Sequence, residues 1–266
     1  LIFFYLVGFF SDLKILKSPL QRLILQIIFT TIFIFYNQIF LENTRVLFLD
    51  NLLENNIINI FFVVFCITVI INGTNFIDGV NCNVIGYYII VSLTVYKLGL
   101  IENPLSIIFF TILLFIFLMN FFSKLYLGDN GSYFIAFIYS IFLIEVYIDN
   151  QDISPFFIVL LLWYPAFENL FSLIRKINFN RSPFKPDQNH LHQLIYDFFK
   201  KNNVLNYNYI NTFVGILITF YNSIIFYLAS LNVENTQFQI ILIIINIIVY
   251  SFIYTRLFKS KYKLLK

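Results

Sequence analysis

Stretches of about 18 to 22 apolar residues recur from one end of this chain to the other, and that recurrence leaves few folds open. A hydrocarbon core about 30 Å thick takes roughly 20 apolar residues to cross as a helix. Eight windows approach or reach that length: roughly 20–41, 57–73, 80–97, 104–122, 132–148, 153–173, 209–231 and 237–257. A soluble domain is excluded by composition, because 60% of the 266 residues are hydrophobic and only 12% are charged, with a mean hydropathy of +0.83. That leaves too little polar surface to cover a water-facing fold. A β-barrel would read as short alternating segments instead of long continuous ones. The expected fold is all-α, a polytopic membrane helical bundle of about eight full spans plus a truncated N-terminal one. The truncated segment is LIFFYLVGFF at residues 1–10, which rises only about 15 Å as a helix. With Leu1 in place of Met, the sequence reads as one missing its N-terminus; no basic region or small-residue cleavage site supports a signal peptide. No internal repeat or linker divides residues 1–266, so a single integral-membrane domain is expected.

Charge orients the windows. If the connection at 11–22 is cytoplasmic and the windows alternate, one side holds fifteen of the 17 Lys and Arg residues, and the other keeps only Arg45 and Lys97. Such a bias is the positive-inside pattern, and one false span would scramble it. The net charge of +3 therefore reports topology and gives no reason to expect a nucleic-acid partner. Cys66 and Cys82 have neither disulfide-framework nor zinc spacing. The bias toward Asn, Ile and Phe is compositional and by itself implies no mechanism.

Four polar stretches stand out, all on the basic side: GFFSDLKILKSP (8–19), NGTNFIDGVN (72–81), YLGDNGSY (126–133) and RSPFKPDQNHLHQL (181–194). Asp78 and Asp129 each adjoin an apolar run, where a carboxylate at a helix centre would cost about 2.5–3.5 kcal/mol and less near the interface. Either could be a helix N-cap, Asp78 for a helix beginning near Val80 and Asp129 for one near Ser132. Both also come with glycine. Permissive backbone beside a carboxylate at a helix start suits a phosphate, and magnesium is commonly held by one or two carboxylates together with substrate phosphates. With Asp12, the two motifs on one face point to a metal-nucleotide site.

Residues 174–208 form the expected cytoplasmic histidine loop. Pro183 and Pro186 keep its chain extended. Leu191, Leu194, Ile195, Phe198 and Phe199 then fall at helical spacing, as in an interfacial amphipathic helix. His190 and His192 diverge by roughly 200° if both are helical and converge if NHLH is extended. They either bind diphosphate or place a proton, or they are a pair of interfacial polar residues. Glu168, late in a span, either pairs with Arg175 or faces the bundle interior.

In order and on one predicted side, these stretches resemble the motifs of the polyprenyl-phosphate N-acetylhexosamine-1-phosphate transferases. NGTNFIDGVN resembles their N-x-x-N-x-x-D-G motif, YLGDNGSY their G-D-x-G-S motif, and SPFKPDQNHLHQL their histidine loop. The resemblance implies a bacterial cytoplasmic (inner) membrane enzyme with its active site on the cytoplasmic face. It would transfer a sugar-1-phosphate from a UDP-N-acetylhexosamine to a polyprenyl phosphate such as undecaprenyl phosphate, releasing UMP, as the first step of a cell-envelope glycan lipid intermediate. It further implies Mg2+, or Mn2+ in its place, held by Asp129 and Asp12. The catalytic residues are then Asp12, Asp78 and Asp129. Substrate binding falls to Asn72, Asn75, Gly79, Gly131, Ser132, Arg181, His190 and His192. Besides membrane lipid, a homodimer through lipid-facing surfaces is compatible with the sequence.

The chain departs from the family pattern at particular places. Ser11 stands where the first member of an aspartate pair is expected, removing one negative charge. Cys82 and Asn83 replace the usual Gly-Leu, and Gln193 replaces a third histidine. These departures keep open a family relative that folds without turnover. A transporter or flippase would instead need ionisable groups near mid-membrane and broken helices or inverted repeats.

Overall fold

A backbone in lipid satisfies its polar groups internally, and all eight long apolar windows prove helical. The computed structural model describes residues 1–100, 104–183, 185, 187–203 and 206–262. Pro186, Lys263 and Lys266 lie outside these. Among the described residues there are twelve helices and no strand: α1 (Ile2–Asp12), α2 (Pro19–Asn37), α3 (Leu47–Leu53), α4 (Asn56–Ile77), α5 (Asn83–Lys97), α6 (Pro104–Phe121), α7 (Gly128–Asp149), α8 (Pro155–Leu161), α9 (Trp163–Asn178), α10 (Leu191–Lys201), α11 (Tyr207–Ser230) and α12 (Thr236–Lys261).

Five of them, α2, α4, α7, α11 and α12, are long and apolar enough to cross a membrane, and α8 with α9 makes a sixth if that bent pair is one span. The remaining windows, 80–97 and 104–122, correspond to α5 and α6, of 15 and 18 residues. The 72° bend between α8 and α9 has a chemical cause. Pro165 has no N–H to give the Leu161 carbonyl, and its ring crowds that carbonyl, so the helix breaks at Leu162. At the start of α8, Ser154 accepts a hydrogen bond from the Phe156 N–H and Pro155 occupies the first helical position, a favoured helix entry.

The helices group into two compact units. The first comprises Leu1–Asn75 and Leu127–Phe184. In it, α1 packs along α7 and against α2, and α7 is the most deeply buried of the candidate spans. The loop after α2 is tied down by Arg45, whose guanidinium donates to the carbonyls of Gln151, Asp152 and Ile153 at 3.3, 2.8 and 3.0 Å. The Tyr147 hydroxyl donates to the Asn43 carbonyl.

The second unit comprises Phe76–Tyr126 and Lys185–Lys266. There α5 packs between α6 and α11, and α10 rests on α11 and α12. Its tight turn at residues 78–82 is held by amide side chains. The Asn81 N–H donates to Asn211 Oδ1 at 2.7 Å, the Cys82 N–H to Asn120 Oδ1 at 2.5 Å, and Asn83 Nδ2 to the Ile77 carbonyl at 2.7 Å. Asparagine, read from composition as carrying no mechanism, therefore supplies much of the polar bonding that irregular backbone needs among apolar helices. Asn59 does the same in the first unit, donating to the Leu41 and Leu53 carbonyls at 2.8 and 3.0 Å.

Cys82 sits in this turn with φ 67° and ψ −5°, a left-handed conformation that costs an L-residue about 1–2 kcal/mol. This is where the resembled family carries glycine; here the turn is kept with a cysteine. Cys82→Gly relieves the backbone cost while giving up a small buried side chain, so unfolding in detergent should stay within about 1 kcal/mol of the parent. Cys82→Val, β-branched at positive φ, should lower stability by about 1–3 kcal/mol in the same thermal measurement.

Candidate functional site

The site is built around the first turn of α7. Its N-cap, Leu127, offers no side-chain acceptor, so the exposed N–H groups of that turn need a partner from elsewhere. Asp12, the last residue of α1, supplies it. Its Oδ1 accepts from the Asp129 N–H at 3.1 Å and its Oδ2 from the Asn130 N–H at 3.2 Å. A carboxylate here also meets the positive end of the helix dipole. Two glycines permit this approach. At Gly8, a Cβ would overlap the backbone of Asp129 and Asn130, so only glycine lets α1 lie so close. Gly128 has φ +67°, and a Cβ there would stand 2.8 Å from Asp12 Oδ2.

Asp129, in the first turn of α7 and not at its N-cap, carries bonds on both carboxylate oxygens. Oδ2 accepts from Ser11 Oγ at 2.5 Å and from Arg22 Nη1 at 2.5 Å, and Arg22 Nη1 also donates to Ser11 Oγ at 2.6 Å. Oδ1 accepts from Asn75 Nδ2 at 2.6 Å, and that amide also reaches Ser132 Oγ at 3.3 Å. Ser132 is fully buried, and its hydroxyl donates to the Asp129 carbonyl at 3.2 Å. Asn72 Nδ2 donates to Gln26 Oε1 at 2.8 Å and to the Thr68 carbonyl at 2.9 Å. Both asparagines are helical, because α4 continues through NGTNFI to Ile77. The Arg22 and Asp129 side chains are 21% and 23% exposed, which removes the pair from the weak class of fully solvated ion pairs. Hydrogen bonds to charged groups contribute about 1.5–3 kcal/mol each.

An open cleft of about 430 Å³ adjoins this cluster, lined by Ser11, Asp12, Lys14, Leu16, Lys17, Arg22 and Asp129. Three cations and two carboxylates in one cleft suit a phosphorylated ligand better than a neutral one.

In the second unit, Asp78 and Gly79 lie in the turn after α4. The N-cap of α5 is Cys82, so Asp78 does not occupy that position. A Cβ at Gly79 would overlap the His192 imidazole. His190 is the N-cap of α10, with extended backbone at φ −76° and ψ 152°, so only His192 is helical. Of the two geometries open to the pair, they adopt the convergent one. Their rings are nearly parallel, 5° apart in plane with centroids 6.0 Å apart. His190 Nε2 lies 3.5 Å from Asp187 Oδ1, and its N–H donates to Gln193 Oε1 at 3.1 Å. Gln193, where a third histidine is expected, thus holds the helix entry.

The first unit accordingly gathers Asp12, Asn75, Asp129, Gly131 and Ser132 at the start of α7, with Asn72 one helical turn from Asn75 along α4. The second gathers Gly79, His190 and His192. Arg181 is exposed just beyond α9. Glu168 and Arg175 are both buried on α9.

Arg22 is the residue that motif reading passed over, because it entered only the charge count. One signal for it was present: a cation in the first turn of α2, just after Pro19, sits at the unfavourable end of the helix dipole and calls for a carboxylate partner.

The fold and the cleft define a multi-pass helical membrane protein with a mixed carboxylate and basic site. Residues 1–147 match the family model described as glycosyl transferase family 4. The chain belongs to that family, the polyprenyl-phosphate hexosamine-1-phosphate transferases. Membership supports transferase activity on a nucleotide sugar and a lipid phosphate within a membrane. No curated protein matches the chain.

Asp12→Ala should expose the first turn of α7. The expected cost is about 0.5–2 kcal/mol in thermal unfolding, with faster hydrogen exchange at the Asp129 and Asn130 amides.

Proposed function

We propose that this chain transfers a sugar-1-phosphate from a UDP-N-acetylhexosamine to polyprenyl phosphate, releasing UMP, at the cytoplasmic face of a bacterial inner membrane. The observation that carries the reading is the cleft at the start of α7, where Asp12 and Asp129 stand among Lys14, Lys17 and Arg22, in a chain of this family. The concentration of basic residues on one predicted side supports the orientation.

In the reaction, an oxygen of the acceptor phosphate forms a bond to the donor's β-phosphorus. The bond from that phosphorus to the bridging oxygen breaks, and UMP leaves with the electron pair. Such a transfer needs in-line positioning and neutralisation of charge more than covalent help from the protein. Lys14, Lys17 and Arg22 oppose the phosphate charges. Asn75, Ser11 and Ser132 hold the Asp129 carboxylate and its helix turn in place. His190 and His192 are both buried, and His192 packs against Gly79, which supports a positioning role for them at the turn after α4.

Asp129 and Asp12 would hold Mg2+, or Mn2+ in its place, together with substrate oxygens. When bound, such an ion supplies further neutralisation of the transferring phosphoryl group. The donor chemistry fits, since each carboxylate has more lone-pair sites than its protein hydrogen bonds occupy. The charge balance fits less well, because the Arg22 guanidinium lies 2.5 Å from Asp129 Oδ2. This ion pair, with Ser11 in place of a carboxylate, favours a second reading: a family member that folds without turnover.

Membranes containing the protein, supplied with polyprenyl phosphate, magnesium and a panel of UDP-N-acetylhexosamines, should release UMP. Asp129→Asn should lower that rate by about 100-fold or more. Absence of UMP release with every donor would overturn the transferase reading and leave the non-catalytic one.

A further inference from the structure

The best-defined charge contact of the first unit is the one least expected of a metal site. Asp129 Oδ2 already holds a cation: Arg22 Nη1 at 2.5 Å, braced by Ser11 Oγ at 2.6 Å. Were Ser11 a carboxylate, Arg22 would have its own counter-ion and Asp129 would be free to take another cation. With a hydroxyl there, the guanidinium must share Asp129. Of the charged side chains lining the cleft, Lys14, Lys17 and Arg22 outnumber Asp12 and Asp129, so the cleft by itself repels a dication.

Arg22 is nonetheless incompletely satisfied in this position, since its Nε is buried without a hydrogen-bond partner among the described residues. A guanidinium has five N–H donors and forms bidentate bonds to phosphate. The site therefore holds a cation that satisfies Asp129 at rest and has donors to spare for an arriving phosphate.

We infer that Arg22 is a displaceable counter-ion that competes with a divalent cation for Asp129, so that a phosphate ligand, by drawing the guanidinium away, opens the carboxylate to the metal. Arg22 is a positioning residue in this account, and Ser11 is what makes the competition possible. The inference rests on the proposed function only for the identity of the phosphate; the competition itself is a property of the protein without substrate.

The test uses the purified full chain in detergent, without nucleotide or lipid phosphate, titrated with Mn2+ and followed by electron paramagnetic resonance. Arg22→Gln should bind Mn2+ about tenfold more tightly or better than the parent, the loss of one charge-assisted contact. The gain should vanish when Asp129→Asn is added, and Arg22→Lys, which keeps the charge, should bind Mn2+ as weakly as the parent. Arg22→Met, which also removes the charge, should likewise raise Mn2+ affinity about tenfold; it decides the matter if Arg22→Gln fails to fold by thermal unfolding. Unchanged, weaker or absent Mn2+ binding in whichever of the two charge-removing single variants, Arg22→Gln and Arg22→Met, is folded overturns the inference. That result leaves the transferase reading standing, whereas a parent that releases no UMP leaves this binding result untouched.

Discussion

The first unit depends on one close approach, that of α1 to the backbone at the start of α7. Without a side chain at Gly8 the two helices come near enough for Asp12 to reach the Asp129 and Asn130 N–H groups. Ser11, one residue earlier, then falls beside the Asp129 carboxylate. The same contact that completes the hydrogen bonding of a helix end also sets the electrostatics of the cleft. Stability and chemistry are thus coupled at these few residues, and a substitution that loosens α1 disturbs both.

A second theme is the use of amides as internal fasteners. Within apolar surroundings, irregular backbone survives only where its polar groups find partners, and the partners here are largely Asn side chains. Asn75 serves a carboxylate and a buried hydroxyl. Asn81, Asn83, Asn120 and Asn211 jointly define the turn between α4 and α5. An amide carries no net charge, so it satisfies backbone in this setting without the desolvation cost of an ion.

Much of the fold was legible in the sequence because its strongest term, the length of apolar windows, is local. The eight windows all became helices. Two things were not legible. The first was where α4 ends: Asn72, Gly73, Thr74 and Asn75 are poor helix formers, yet the helix runs on to Ile77, where Asn72 and Asn75 gain partners on α2 and α7 that local propensity does not report. The second was the break at Leu162, which average hydropathy passes over because the window stays apolar across Pro165. At the site, the polar motifs marked Asp12, Asn75 and Asp129, since glycine and carboxylate clusters are conspicuous beside greasy helices. Arg22 was hidden, because its meaning depends on a residue 107 positions away.

The packing of Gly79 against His192 reaches beyond this one chain. The two positions are 113 residues apart in sequence, yet the space above the glycine is filled by the imidazole. Position 79 cannot gain a side chain while the imidazole stays in place. In relatives that keep this turn, position 79 should grow only where position 192 shrinks. Paired substitution at these two sites is therefore the evolutionary trace that this contact leaves, readable from aligned sequences without any measurement on the protein itself.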